Sequence, residues 1–384
     1  MTVLTDRVSI VPERVPSAID GSNGLPDGFE IGIDHGPSSH ARSIAGPDGL
    51  AMPVRITPIP IESTHPQRAP WRHRHLLDVA DLSPDELETV LDTADRMSEA
   101  RAAGHTSHDL RGRGVTTLFY EASTRTRVSF EVAARSLGAD VVSVPVQTSS
   151  VTKGESMVDT VRTLQALGAH TLVVRHQRSG AAHLVARHFE GHVLNAGDGW
   201  HAHPTQALLD LATLRAALPG RQIRGAKVVI AGDVLHSRVA RSNVWTLTAM
   251  GADVWLTGPA TMLRGFEAWA RAIPAGRRLT VTADFDAALR DADAVMALRV
   301  QRERLSGSGA PSEAAYAARY GLTEDRLRAC RPDVVVMHPG PLNEGVEIAP
   351  DVAAGPRSLV TRQVAAGVSV RMAILSLLCG CSRA

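Results

Sequence analysis

Phe119-Tyr120-Glu121-Ala122-Ser123-Thr124-Arg125-Thr126-Arg127 concentrates three hydroxyls and two guanidiniums in its last five residues. Apolar residues precede the run and a helical pattern follows it, so it spans a strand end and a helix start. The free N–H groups of a helix's first turn, and its macrodipole, favour an anion there. Arginine adds a planar fork that matches phosphate oxygens. The chemistry expected is capture of a phosphate or a phosphate ester. Read more plainly, the run is a capped helix with two solvated arginines; two arginines in one first turn favour the anion site.

Other residues join it. His203-Pro204-Thr205-Gln206 stands at a second strand-to-helix junction, facing the same sheet edge. A histidine there is commonly a helix-entry residue, but its place before Pro204 beside an anion site favours a catalytic part. Arg238 follows Gly232-Asp233-Val234 at a strand end, and Arg299 and Gln301 lie at the end of another strand. Strand carboxyl ends are where open α/β sheets bind ligands. Arg299 read alone is a surface charge, and Arg302 and Arg304 beside it receive no assignment. Pro339-Gly340-Pro341 makes a rigid turn with exposed carbonyls. The polar loop Gln147 to Glu155 holds Lys153, one of only two lysines, with Lys227, among 41 basic residues. A lysine surviving where arginine is the rule hints that a slim, mobile ammonium is wanted.

These residues must be held by alternating strands and helices. Ser83-Pro84-Asp85-Glu86 is a helix start, with Ser as N-cap, Pro at the first position and acids in the first turn. Strands are predicted at 115–120, 140–146, 171–176 and 192–196, with helices at 128–137, 156–167, 180–189 and 205–218. After Pro219-Gly220 the pattern restarts. Strands are predicted at 226–231, 253–256, 279–282, 294–300 and 334–337, and the clearest helix at 237–250. Short apolar runs separated by helices mark buried parallel sheets. Two such series in tandem predict an α/β fold of two doubly wound parallel-sheet domains with a cleft between. A final helix, about 361–378, is apolar on one face and is expected to cross back onto the first domain. The domains expected are 73–218 with 359–379, and 219–358. Residues 1–72 hold 10 of the 22 prolines and 7 glycines, which predicts a poorly ordered extension.

Composition narrows the class. The chain has 384 residues, 44% apolar but only 4% aromatic, so its cores must be built from Ala, Val and Leu. A net charge of +1 argues against a nucleic-acid or polybasic membrane partner. No uninterrupted apolar run nears about 18 residues, and the first residues lack a secretory apolar stretch. Three cysteines make no disulfide framework; Cys379-Gly380-Cys381 lacks the partners a metal needs, so no metal and no cofactor are expected. The expected setting is cytoplasmic.

The first run resembles the carbamoyl-phosphate motif of the aspartate/ornithine carbamoyltransferase family. His203-Pro204-Thr205-Gln206 is similar to the family's second signature. His338-Pro339-Gly340-Pro341-Leu342-Asn343-Glu344-Gly345-Val346-Glu347-Ile348 resembles the third signature of its aspartate branch. The likeness extends from about His75 to Leu378. It implies transfer of a carbamoyl group from carbamoyl phosphate to L-aspartate, in pyrimidine biosynthesis. By that resemblance Ser123, Thr124, Arg125 and Thr126 hold the phosphate. Arg125 neutralises the leaving group, and Thr126, Arg175 and His203 polarise the carbonyl. Gln206 contacts the carbamoyl nitrogen. Ser149 and Lys153 arrive from a neighbouring subunit, which implies a homotrimer or a multiple of trimers. Lys153 bridges phosphate and aspartate. Arg175 and Arg238 take the α-carboxylate of aspartate, Arg299 and Gln301 its β-carboxylate. Carbonyls of Pro339, Gly340 and Pro341 accept from substrate nitrogens, with a cis bond before Pro341. A dihydroorotase or a regulatory chain is a candidate partner.

One departure stands out. Many bacterial relatives carry Arg where this chain has Glu344, which leaves open another amino acid as acceptor. The ornithine branch would place Cys-Leu-Pro after His338, and this chain does not. A nicotinamide dehydrogenase is disfavoured because Gly232-Asp233-Val234-Leu235 is not G-x-G-x-x-G. A catalytically silent assembly partner would lack phosphate or carbonyl ligands, and none is missing.

Overall fold

The computed structural model describes residues 71–105, 107–146, 154–300 and 312–380. The extension expected over residues 1–72 lies outside these, apart from Trp71 and Arg72; Trp71 is buried in the first core.

Ser83 caps α1 (Pro84–Ala102) as expected: its hydroxyl accepts from Glu86 N at 3.3 Å, while the Glu86 carboxylate accepts from Ser83 N at 2.9 Å. Then follow β1 (Gly114–Phe119), α2 (Thr124–Ser136), β2 (Asp140–Val144), α3 (Met157–Ala166), β3 (Ala169–His176), α4 (Ala181–Ala186), β4 (His192–Asp198) and α5 (Pro204–Ala217). The four strands pair in parallel in the order β2-β1-β3-β4. Val115, Leu118, Leu172 and Val173 on the inner strands are fully buried, which is why these segments read as unbroken apolar runs.

The second series is β5 (Lys227–Ala231), α6 (Arg238–Ala249), β6 (Asp253–Thr257), α7 (Phe266–Ala272), β7 (Arg278–Thr282), α8 (Phe285–Leu289), β8 (Ala294–Ala297), α9 (Glu313–Tyr320), α10 (Glu324–Leu327), β9 (Val335–Met337) and α11 (Pro350–Ala354). Its parallel sheet runs β7-β6-β5-β8-β9. In both sheets the order reverses beside the first strand, which leaves a crevice at the carboxyl ends.

Three expectations shift. The helix expected from Val128 begins at Thr124, because polar Thr124 to Arg127 form its first turn. β8 ends at Ala297 rather than Val300, so Leu298 and Arg299 leave the ladder and line a cavity. Lys227 needs no ligand to explain it. Its Nζ donates to Arg290 O at 2.7 Å, just past the end of α8, and lies 4.0 Å from the Trp255 ring centre.

The last helix, α12 (Val360–Gly380), packs on α1, α2 and α5. Its length and a mean hydropathy of 1.5 would let it cross a bilayer, although polar residues interrupt its apolar run. Here it is a core helix, burying Val370, Ile374 and Leu375 and also Gln363 and Arg371. The α1–α5 contact carries a charge clamp. Arg215 on α5 donates to Glu88 at 2.7 Å, Asp92 at 2.9 Å and Asp95 at 3.0 Å, three acids one turn apart on α1.

Candidate active site

A cavity of about 640 Å³ opens at the carboxyl ends of both sheets. Three helices begin at its wall. Ser123 precedes α2 in extended backbone and makes no side-chain cap, and no acid stands in that helix's first turn. α5 starts at His203, again without a side-chain cap or an acid. Ser237 caps α6, and Arg238 follows it. Unsatisfied N–H groups and aligned dipoles make this wall favourable to anions.

Ser123, Thr124, Arg125, Thr126, Arg175, His203, Gln206, Arg238, Arg299, Pro339, Gly340 and Pro341 all line this one cavity. Ser149, Lys153 and Gln301 lie outside the described residues. Glu344 is exposed and does not line the cavity. The bond between Gly340 and Pro341 is cis, as expected.

Glu121, in the first motif but given no role there, proves central. Its carboxylate accepts from Arg175 Nη2 at 2.6 Å and from Arg238 Nη2 and Nη1 at 2.6 Å and 3.1 Å. Burial pushes its pKa up; the bonds and charges of Arg238 and Arg175 outweigh that and hold it below the usual carboxylate value. The carboxylate therefore stays ionised, with the guanidiniums of Arg175 on β3 and Arg238 on α6 fixed on it. Arg175 Nη1 also donates to Ala196 O at 3.2 Å, and Arg238 Nη1 to Gly199 O at 3.3 Å. Gly197, at φ +113°, lets Arg238 and His203 approach the backbone where a Cβ would collide with the guanidinium.

His203 is buried, and its backbone N–H donates to Ser242 Oγ at 3.0 Å. Desolvation, followed by the charges of Arg175, Arg238 and Arg371, holds its pKa well below the usual imidazole value. It is neutral at physiological pH, a hydrogen-bond donor rather than a cation.

Two further lining residues matter: Arg371, which no motif contains, and His338, which opens the third signature but has no role assigned from sequence. Arg371 comes from α12 and stacks 4.9 Å from the Phe130 ring centre; burial lowers its pKa to about 10. His338 is almost wholly buried. Its Nδ1 accepts from Gly340 N at 2.8 Å, so Nε2 donates to Glu347 Oε1 at 3.2 Å, and the same oxygen accepts from Asn343 N at 2.6 Å. These bonds fix the turn over the cavity. Gly340, at φ +67°, lies flat against the Arg125 guanidinium, where any side chain would overlap it.

A second charged cluster lies behind the wall. His183, Asp198 and His201 bring potential ligand atoms within 4.8 Å of one another. Asp198, however, already accepts from Gly180 N at 2.6 Å, Asn195 Nδ2 at 2.8 Å and Ala202 N at 3.1 Å. His201 bridges Asp198 and Asp78, and those bonds raise its pKa to about 10. A proton holds the place a cation would take, and the cluster is read as an ion network.

The cavity can thus bind two anions side by side and supply donors to the oxygens between them. Comparison with known proteins points the same way. Residues 74–216 match the model for the carbamoyl-phosphate-binding domain of aspartate/ornithine carbamoyltransferases, and residues 224–378 that for the aspartate/ornithine-binding domain. The chain is 52% identical over 311 residues to the aspartate carbamoyltransferase catalytic subunit of Roseiflexus sp. (strain RS-1), covering 80% of this chain and 96% of the relative. It is 53% identical over 312 residues to that of Parafrankia sp. (strain EAN1pec), covering 81% and 98%. Among solved structures it resembles Trypanosoma cruzi aspartate transcarbamoylase in complex with N-(phosphonacetyl)-L-aspartic acid, with a TM-score of 0.71, 30% identity, and 80% and 96% coverage. Ornithine carbamoyltransferase from Pyrococcus furiosus is similar at a TM-score of 0.72, 27% identity, and 82% and 99% coverage.

Proposed function

The chain belongs to the aspartate/ornithine carbamoyltransferase family, and from that premise we propose that it transfers the carbamoyl group of carbamoyl phosphate to the amine of L-aspartate. The products are N-carbamoyl-L-aspartate and phosphate, and the step belongs to pyrimidine biosynthesis. The charge of the lining carries the proposal. Five guanidiniums, those of Arg125, Arg175, Arg238, Arg299 and Arg371, face one carboxylate, Glu121. A phosphate dianion together with a dicarboxylate suits that balance. Ornithine would bring a side-chain cation into it.

The neutral amine attacks the carbamoyl carbon while the C–O bond to phosphate breaks. Negative charge grows on the carbonyl oxygen and on the departing phosphate, so pre-aimed donors do the work. The first turn of α2, with Ser123, Thr124, Arg125 and Thr126, holds the phosphate. Thr126, Arg175 and neutral His203 polarise the carbonyl. Arg175 and Arg238 take the α-carboxylate, and Arg299 and Gln301 the β-carboxylate. Carbonyls at Pro339, Gly340 and Pro341 receive the nitrogens. Phosphate accepts the amine's proton, so no protein base is required. Residues 73–218 with 359–379 would bind carbamoyl phosphate, and 219–358 aspartate.

We assign Ser149 and Lys153 to a neighbouring subunit's site, and the chain to a homotrimer or a multiple of trimers. Exposed Val128 and Val132, one turn apart on α2, and Val142 on edge strand β2 support an interface there. Free Cys330 and Cys379 suit a cytoplasmic enzyme.

The test is phosphate release from carbamoyl phosphate by the purified chain. It should require L-aspartate, and Arg125→Ala should lower kcat about a hundredfold or more. Release with ornithine instead, or an undiminished Arg125→Ala enzyme, overturns the proposal.

A further inference from the structure

One carboxylate lies beneath the cavity wall without lining it. Asp210, on α5, is 1% exposed. Its Oδ1 accepts from Gln206 Nε2 at 2.9 Å and from Gln363 Nε2 at 2.7 Å. Its Oδ2 accepts from Asn243 Nδ2 at 2.9 Å. Three side-chain amides, from α5, α12 and α6, converge on it. Arg371 is the charged group that faces it, and burial lifts the Asp210 pKa to about 6 against the bonds from Asn243, Gln363 and Gln206 and that charge. The group is ionised at about pH 7.5.

An ionised carboxylate only accepts, so each amide must turn its NH2 end toward it. For Gln206 this has a chemical consequence. A glutamine amide can present either end to a ligand, and the two ends have opposite polarity. With Nε2 committed to Asp210, the carbonyl Oε1 is the end left for the cavity. The amino end of a carbamoyl group is a donor and needs an acceptor. Gln363 extends the arrangement, because its Oε1 accepts from His338 N at 3.0 Å, at the start of the turn over the cavity. Holding these helices together does not require a charge, since apolar side chains of similar volume often serve as well.

We propose that Asp210 is a positioning residue that fixes the polarity of the Gln206 amide, so that the site selects an NH2 group over a methyl on the acyl phosphate. This rests on the carbamoyl transfer proposed above. Asp210→Asn removes the obligation, because the amide it introduces can offer either end to Gln206.

Acetyl phosphate, with a methyl where carbamoyl phosphate has NH2, separates this from a general structural role. In Asp210→Asn, kcat/KM for carbamoyl phosphate should fall about tenfold. The Ki of acetyl phosphate as a competitor should change less than about twofold. If the two constants weaken together, Asp210 only supports the fold; if neither changes, Gln206 is oriented without it. Either result overturns the proposal. Asp210→Ser, smaller and uncharged, repeats the comparison should the Asn variant not fold. Aspartate-dependent turnover by the unaltered chain is measured first, so a failure of the underlying reaction is seen separately.

Discussion

At the scale of single residues, the cavity is a problem of like charges. Arg175 and Arg238 would repel each other across the gap between the sheets, and Glu121 reconciles them with bonds of 2.6 Å to each. Glu121→Gln keeps the shape and removes the charge. Its expected effect falls on the acceptor: KM for aspartate rises about tenfold, while the dissociation constant of carbamoyl phosphate moves little. Equal weakening of both ligands would place Glu121 elsewhere in the chemistry. The sequence made Ser123 to Thr126 legible because their donors are consecutive, and a helix start has a known polarity. Glu121 carries no such signal, because an acid looks out of place among donors until its partners Arg175 and Arg238, far along the chain, are seen. Arg371 and Asp210 were hidden for the same reason. Each sits inside an apolar helix pattern, and only packing brings Arg371 to the cavity and Asp210 beneath its wall.

Elements were more legible than residues. Inner strands of a parallel sheet are buried on both faces, so their apolar runs stand out in the sequence. The start of α2 was not, because its first turn, Thr124 to Arg127, is polar and carries no apolar signal. The segment from Gly197 to His203 shows how such a connection is held. His201 ties Asp198, at the end of β4, to Asp78, which precedes α1, and Asp198 in turn receives Gly180 N at the start of α4. His201 titrates near 10 in the fold and near 6.5 when unfolded. A raised folded pKa stabilises fully below the unfolded value, and the contribution disappears as pH climbs through the folded one. The stability difference between the unaltered chain and His201→Gln should therefore be largest near pH 6 and vanish by about pH 10. Denaturant midpoints across that range measure it, and a constant difference would mean that packing, not charge, is what His201 supplies. The α1–α5 contact makes a companion case. Arg215→Met leaves Glu88, Asp92 and Asp95 facing one another without their shared cation. It should lower stability by about 2 kcal/mol, with part of the loss recovered at high salt.

Across the whole molecule, the cavity joins parts that are remote in sequence. Arg125, in the first turn of α2, and Arg175, on β3, come from the first series of elements; Arg238, at the start of α6, and Arg299, just past β8, come from the second, while α12 returns from the far end of the chain to add Arg371. These cations line one cavity with a single lining carboxylate, Glu121, so an anion bound among them offsets like charge. Binding to the native state alone stabilises it by RT ln(1 + [L]/Kd), about 2.7 kcal/mol at a hundredfold excess over Kd. Inorganic phosphate at that excess should raise Tm by roughly 2 °C or more relative to chloride at equal ionic strength. Arg125→Ala removes the cation lying against Gly340 beside the α2 N-terminus, and should abolish most of that rise without itself lowering Tm, since it removes part of the same like charge. An equal rise in the variant would mean that phosphate acts through general exclusion from the surface, as kosmotropic salts do, and that the charge concentrated between the two sheets is not the seat of anion binding.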